Sequence, residues 1–278
     1  MNAPSHDTVE NLLIVTDLDG TLLDDTYPVV EAARALRQVL SIPGNRIVLA
    51  SSKTLPEMLV LADLVDDPLI LIFENGAGIA WPNGTLRTPA DHTINHLQVL
   101  SNALPYENVL QKLEVLRNEG FRFRGFNDMS TEDISAETKL GPLFAALARQ
   151  RLYSEPLQWL DTEASLAAFT ARLQDLGLTI QLGGRFHHVN SGATKGQALE
   201  RLLGILNLQG ACPRVLACGD APNDLDMMAH ADEVLLFPKR GGGYLKPACD
   251  QVHHAPTAGP EAWLAGVQRQ LRTQGVSA

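Results

Sequence analysis

The sequence predicts an α/β protein with a Rossmann-like parallel sheet core and an inserted α+β domain. Short apolar runs rich in β-branched residues, at 12–16, 46–51 and 69–73, alternate with helix-like segments. Such runs, without polar alternation, are typical of parallel strands that helices cover on both faces. We therefore expect a core built from 1–82 and 190–278, with 83–189 inserted between the two parts.

The helices and strands follow in order from residue spacing. Helical spacing begins at Val29, and Thr54 with Glu57 has the spacing of a capping box at the start of a second helix. After residue 83, loosely alternating helical and strand-like segments predict the α+β insertion. Strand–helix alternation resumes after residue 190, and a final amphipathic helix is predicted at 261–272.

Composition limits the classes of function. The chain has 278 residues and a net charge of −10, which argues against a broad nucleic-acid surface. No apolar run has the length of a membrane span, and the first residues lack the pattern of a signal peptide. Three cysteines with no metal-type spacing are expected to be reduced thiols in a cytoplasmic protein. The oligomeric state, monomer or homodimer, stays open.

Polar side chains follow the core strands or open the next helix. In an open α/β sheet, ligands bind beyond the carboxyl ends of the strands, so these side chains are expected to converge. They are Asp17 and Asp19, Ser51 and Ser52, Lys195, and Asp220 with Asn223 and Asp224.

Converging acids predict a metal site. Their charges would repel one another unless a cation neutralised them, and carboxylate oxygens suit a hard ion such as Mg²⁺. A lysine and a serine nearby offer hydrogen bonds to a tetrahedral anion. A cation, a carboxylate nucleophile and donors to phosphate oxygens together indicate phosphoryl transfer through an aspartyl-phosphate intermediate.

The order of these motifs resembles that of the haloacid dehalogenase superfamily of phosphatases. The motifs are DLDGT at 17–21, Ser51, Lys195 and GDAPND at 219–224. The insertion lies after the second motif and before the lysine, which resembles the α/β (C2-type) cap arrangement of that superfamily. Segments elsewhere are similar to the mannosyl-3-phosphoglycerate phosphatase family. These are SSKTLPEM at 51–58, ENGAGI at 74–79, GFNDMSTEDI at 125–134, ARQRLYSEP at 148–156 and GGRFHHV at 183–189.

The resemblance implies a role for each core residue. Asp17 is expected to be the nucleophile and a metal ligand, and Asp19 the general acid and base whose carbonyl also touches the metal. Asp220 is expected to ligate the metal, with Asn223 and Asp224 as ligands or supports. Ser51 and Lys195 are expected to hold the phosphoryl oxygens.

The resemblance also implies contacts to a phosphorylated sugar-glycerate substrate. Arg185, with either His187 or His188, is expected to face the substrate, since a guanidinium suits a glycerate carboxylate. Two histidines that are adjacent on a strand cannot both face one way. Glu74 and Asn75 are expected to line the site entrance. Ser52 follows the second strand beside Ser51 and is assigned to the same site, and Lys53 is either a substrate contact or an exposed lysine at a helix start.

The expected activity is Mg²⁺-dependent hydrolysis of 2-O-(α-mannosyl)-3-phosphoglycerate or its glucosyl analogue. Two alternatives stay open. The chain could be a general sugar-phosphate phosphatase or a phosphohexomutase of the same superfamily. A non-catalytic protein that senses a phosphorylated metabolite is less consistent with the full set of Asp17, Asp19, Lys195 and Asp220.

Overall fold

The computed structural model describes residues 12–183 and 186–273. Its strands are β1 Leu12–Thr16, β2 Arg46–Ala50, β3 Ile70–Phe73, β4 Gly78–Pro82, β5 His92–Ile94, β6 Leu97–Ser101, β7 Phe123–Gly125, β8 Glu155–Trp159, β9 Thr179–Gly183, β10 Phe186–Asn190, β11 Arg214–Gly219, β12 Glu233–Leu236 and β13 Val252–His254. Its helices are α1 Val29–Leu40, α2 Leu55–Val65, α3 Tyr106–Asn118, α4 Thr131–Thr138, α5 Pro142–Ala148, α6 Glu163–Asp175, α7 Lys195–Leu208, α8 Leu225–Met228 and α9 Pro260–Thr273.

The larger sheet has the order β13-β12-β11-β1-β2-β3-β4-β6-β5. From β13 to β3 neighbouring strands are parallel, and from β3 to β5 they are antiparallel. The first strand, β1, lies between β2 and β11. The order of the strands therefore changes direction at β1, and the loop after β1 begins at this crossover. The predicted α/β class with a parallel-dominated core sheet is confirmed.

Both faces of this sheet are covered, which explains the continuous apolar runs. Leu12 and Ile14 of β1 face a layer formed by α1, α2 and α9, where Trp263 is fully buried. Leu13 and Val15 face the opposite layer, formed by α7 and α8. Each such side chain contributes about 1.5–3 kcal/mol of burial free energy relative to full exposure.

The smaller sheet lies in the insertion and is antiparallel, with the order β7-β8-β10-β9. Helices α3 and α6 cover it, and the ring of Phe169 packs against Phe121, Phe123 and Trp159. The expected start of the insertion at residue 83 needs correction in one respect. Strands β5 and β6 pair with the larger sheet, so the chain through residue 101 still contributes strands to the core.

Side-chain hydrogen bonds cap the starts of helices α2 and α4. Thr54 caps α2 in the capping box that the sequence predicted, and Ser130 caps α4 in the same way. After β11, a 3₁₀ turn at Pro222–Asp224 leads into the short helix α8. His253 and His254 lie in edge strand β13. Within 12–183 and 186–273, no helix is both long and apolar enough to cross a membrane.

Candidate active site

Three buried carboxylates converge beyond the carboxyl ends of β1 and β11. Asp17 follows β1, and its N–H donates to the carbonyl of Cys218 in β11 at 2.9 Å. Asp220 follows β11 directly, and Asp224 ends the 3₁₀ turn after it. One oxygen from each carboxylate lies within 4.8 Å of the others. The convergence that the sequence predicted for these acids is present.

Lys195 is the cation of this cluster. It is the first residue of α7, and its Nζ donates to Oδ1 of Asp17 and to Oδ1 of Asp224, each at 2.7 Å. Its side chain is 1% exposed. Burial alone would lower the pKa of Lys195, but the two carboxylates raise it above its ordinary value. The lysine is therefore charged, and it fixes the orientation of Asp17.

Among the residues that the structure describes, the charge of Lys195 does not balance the three carboxylates of the cluster. Burial, with further contributions from Asp224 and Asp220, raises the pKa of Asp17 well above its ordinary value despite the opposing effect of Lys195. Burial and the charge of Asp224 likewise raise the pKa of Asp220 to about 6. A cation bound beside these oxygens would favour their ionised forms.

Two glycines let the acidic loops approach one another. Gly20 has φ +85°, and a Cβ there would lie 2.6 Å from Oδ2 of Asp220. A Cβ on Gly219 would lie 2.6 Å from Oδ2 of Asp224. Thr21, fully buried, donates from Oγ1 to Oδ1 of Asp220 at 3.0 Å. Sequence reasoning did not assign this role to Thr21, although its position directly after DLDG was the available signal.

Asp224 and Asn223 support the cluster through protein contacts. Oδ2 of Asp224 accepts from the N–H groups of Asp220 and Ala221, while Oδ1 accepts from Lys195. Asn223 donates from Nδ2 to Oδ1 of Asn75 at 2.9 Å. Because both oxygens of Asp224 already accept hydrogen bonds, its first function in this structure is to hold Lys195 and the loop.

The donor set fits a divalent cation with oxygen ligands. Oδ1 of Asp17 accepts from Lys195 and Oδ1 of Asp220 accepts from Thr21, and one oxygen of each carboxylate lies within 4.8 Å of the other acids of the cluster. Among the described residues, the backbone carbonyl of Asp19 accepts no hydrogen bond. Carboxylate and carbonyl oxygens are the ligands that hard divalent ions prefer. Asp17, Asp220 and the Asp19 carbonyl are therefore the groups that could hold such an ion.

The side chain of Asp19 lies apart from this cluster. It is 51% exposed, and its Oδ2 forms an ion pair of 2.8 Å with Nζ of Lys53. Lys53 itself is 7% exposed, so it is not the exposed lysine that one interpretation of the sequence allowed. The structure thus gives Lys53 a protein partner within the site.

Ser51 and Ser52 lie at the end of β2, as predicted. Ser51 is 1% exposed, and its Oγ accepts from the N–H of Lys53 at 3.3 Å. Ser52 is half-buried, and its carbonyl accepts from Nη2 of Arg151 at 3.1 Å. Arg151, from the insertion, was not predicted as a site residue. Its buried guanidinium reaches the loop after β2 across 99 residues of sequence.

Glu74 and Asn75 do not line an entrance, which corrects the expectation for both. They are 0% and 2% exposed, with φ of +49° and +57°. This left-handed turn aims the Glu74 carboxylate at the insertion, where it accepts hydrogen bonds from the N–H groups of Leu152, Tyr153 and Ser154. Glu74 therefore joins the insertion to the core sheet.

The histidine pair separates as strand alternation requires. His188 is 8% exposed, and burial together with the charges of Arg151, His187 and Lys195 lowers its pKa to about 3. His187 is half-buried and has its side chain on the opposite face of β10. His188 is therefore a buried neutral imidazole on the face of β10 opposite that of His187. Arg185 lies outside the described residues.

Comparisons with known proteins agree with this geometry. The family model of the haloacid dehalogenase-like hydrolases matches residues 14–235. A glucosyl-3-phosphoglycerate/mannosyl-3-phosphoglycerate phosphatase from Methanococcoides burtonii is 32% identical over 257 residues. That alignment covers 90% of this chain and 94% of the relative.

Solved structures share the fold at lower identity. A haloacid dehalogenase-like hydrolase from B. subtilis has a TM-score of 0.58 and 18% identity, covering 94% of this chain and 98% of that one. A structure from Bacteroides thetaiotaomicron, described among phosphatases of the haloalkanoate enzyme superfamily, has a TM-score of 0.61 and 19% identity, covering 99% of both chains. The chain therefore belongs to the haloacid dehalogenase-like hydrolases, as a phosphoric monoester hydrolase similar to the mannosyl-3-phosphoglycerate phosphatases.

Proposed function

We propose that this protein is a Mg²⁺-dependent phosphatase that hydrolyses 2-O-(α-mannosyl)-3-phosphoglycerate or its glucosyl analogue, through an aspartyl phosphate on Asp17. The observation that carries the proposal is the contact between Lys195 and both Asp17 and Asp224 inside a buried cluster of acids. It supplies a nucleophile, a fixed cation and oxygen ligands for a metal in one place.

Asp17 begins the reaction. Its free carboxylate oxygen attacks phosphorus, the bond between phosphorus and the glycerate oxygen breaks, and its electron pair leaves on that oxygen. Asp19 gives the departing oxygen a proton, which produces the free alcohol. Water then loses a proton to Asp19 and attacks the same phosphorus, which releases phosphate and restores Asp17.

Lys195 and the metal ligands offset charge during both steps. Lys195 holds Oδ1 of Asp17 and leaves the other oxygen to attack, and the charge of Lys195 lies where negative charge develops. A Mg²⁺ bound by Asp17, Asp220 and the Asp19 carbonyl would neutralise the phosphoryl oxygens. Thr21 keeps Asp220 in the orientation that this ligand role needs.

Support for the substrate comes from the insertion and from the relative. The Methanococcoides burtonii protein is named for both the glucosyl and the mannosyl compound, and the similarity runs through the insertion. His188 and Arg151 are insertion side chains that come close to the core site, and Arg185 precedes β10. Arginine cations suit a carboxylate, and a neutral imidazole suits sugar hydroxyls.

The chemistry is tested by phosphate release in Mg²⁺ and in excess EDTA, with wild type and Asp17→Asn. We expect release that requires Mg²⁺ and falls by more than about 10³-fold in the variant, because an amide is no nucleophile for phosphorus. Rapid acid quench of the wild type should trap one labile acyl phosphate per chain. Full activity of Asp17→Asn would contradict the mechanism.

A further inference from the structure

Lys53 lies between the loop that carries Asp19 and the first turn of α2, and its ammonium meets three groups. Nζ is 2.8 Å from Oδ2 of Asp19 and 3.9 Å from Oε1 of Glu57. It also lies 4.8 Å from the centre of the Tyr27 ring, within the range of a cation–π contact. Each of these three contacts is made to a protein group.

Asp19 needs such a contact more than the other acids of the site. Its side chain is 51% exposed, whereas Asp17, Asp220 and Asp224 are buried. In the described part of the chain, its second oxygen Oδ1 has no hydrogen-bond partner. An exposed carboxylate with one anchor is free to rotate when that anchor is lost. A general acid that is displaced by about 1 Å can lose about two orders of magnitude in rate.

The side chain of Lys53, in contrast, is buried and contacts several protein groups. Its side chain is 7% exposed, and its neighbour Glu57 is 3% exposed. Glu57 is itself fixed, because its Oε2 accepts from the N–H of Thr54 at 2.9 Å in the capping box of α2. The ammonium of Lys53 is therefore held in a fixed position beside the first turn of α2.

We propose that Lys53 is a positioning residue that holds the carboxylate of Asp19 where the leaving oxygen departs, and that it does not bind the substrate itself. This inference rests on the proposed function, in which Asp19 is the general acid. It replaces the interpretation of Lys53 as a substrate contact. The free oxygen Oδ1 of Asp19 is then the one that exchanges protons with the alcohol and with water.

The test compares two substrates whose leaving groups differ in their need for a proton. Mannosyl-3-phosphoglycerate releases an alkoxide, which must be protonated, whereas p-nitrophenyl phosphate releases a stable phenolate. We expect Lys53→Met to lower the single-turnover rate of leaving-group release by about 10- to 100-fold on the first substrate, and by only about 3-fold or less on the second. The later attack of water is common to both substrates, so the comparison is made on this first step. KM should change by less than about 2-fold on both substrates, because Lys53 does not contact the substrate and its binding is unchanged. Lys53→Arg should recover most of the loss on the first substrate.

A double-mutant cycle separates positioning from direct contact. If Lys53 acts through Asp19, Lys53→Met should lower kcat no further when it is added to Asp19→Asn. Lys53→Gln is measured beside Lys53→Met, and thermal melting confirms that each variant is folded. Equal losses on both substrates, a raised KM, or additive effects in the cycle would overturn the inference alone. Absence of hydrolysis of both substrates by the wild type would overturn the proposed function, and this inference with it.

Discussion

Nζ of Lys195 lies 2.7 Å from Oδ1 of Asp17, and both side chains are almost fully buried. A buried lysine whose partners are carboxylates is costly to replace, because the acids are left without a compensating charge. We expect Lys195→Met, which keeps the length of the side chain, to lower the free energy of unfolding by about 3 kcal/mol. Urea denaturation in EDTA measures this loss. Lys239→Met, at an exposed lysine, is the matched control and should leave stability within about 0.5 kcal/mol.

Metal binding should stabilise the folded protein through the same acids. With Mg²⁺ at about 100 times its Kd, the free energy of unfolding should rise by about 2.7 kcal/mol. Asp220→Asn should remove most of this gain in stability, because an amide replaces a carboxylate ligand. The raised pKa of the Asp220 carboxyl shows that negative charge is unbalanced at this position. Asp67→Asn alters an exposed acid and should keep the full effect of Mg²⁺. Equal stabilisation of the two variants would argue against Asp220 as a ligand.

Glu155 should make stability depend on pH. It is 1% exposed, accepts from the Tyr106 hydroxyl at 2.6 Å, and burial raises its pKa from 4.5 to about 7. The folded protein then binds this proton more tightly than the unfolded chain. Stability is therefore lost as the pH rises from the unfolded pKa through the folded one, by about 3 kcal/mol in total.

The measurement for Glu155 is urea denaturation of wild type and Glu155→Gln from about pH 5 to about pH 8. The wild type should lose stability relative to the variant across this window. Glu107→Gln, at an exposed position of helix α3, which also carries Tyr106, should follow the wild type. A difference between wild type and Glu155→Gln that does not change with pH would contradict the assignment.

The insertion should affect Asp19 through helix α5. The ring of Phe144 packs edge-on against Tyr27 at 4.8 Å, and Tyr27 lies on the other side against Lys53. Phe144→Ala should therefore lower kcat for an alkyl phosphate by about 5-fold or more, through looser placement of Lys53. Leu143→Ala, on the same helix but 63% exposed, is the control and should keep wild-type kcat. Similar losses in both variants would point to general disturbance of the helix.

The sequence predicted those parts of the fold that local patterns determine. The continuous apolar run of β1 and the capping box at Thr54 are both present in the structure. The hairpin of β5 and β6 was missed because its turn, Asn95 and His96, contains no glycine although both residues have positive φ. Such two-residue turns are usually recognised from an Asn-Gly or Asp-Gly pair. Side-chain placement between distant segments was also beyond a single sequence.

The acids of the site were predictable because each directly follows a core strand. Asp17 and Asp220 meet for that reason, since the neighbouring parallel strands β1 and β11 deliver their carboxyl ends to one edge. Lys195 reaches them from the start of α7, which follows strand β10 of the insertion. Glu74 shares that position, yet its left-handed backbone turns it towards the insertion. Arg151 reaches Ser52 only through the packing of the insertion on the core. Neither contact has a local signal in the sequence.

The most direct test of the account is the comparison of kcat/KM, with Mg²⁺, among four substrates. They are mannosyl-3-phosphoglycerate, glucosyl-3-phosphoglycerate, mannose 6-phosphate and 3-phosphoglycerate. We expect kcat/KM for one or both glycosyl phosphoglycerates to exceed that for the simple phosphates by about 10²-fold or more, because sugar and glycerate are both bound. Equal or higher kcat/KM values for mannose 6-phosphate or 3-phosphoglycerate would contradict the assigned substrate.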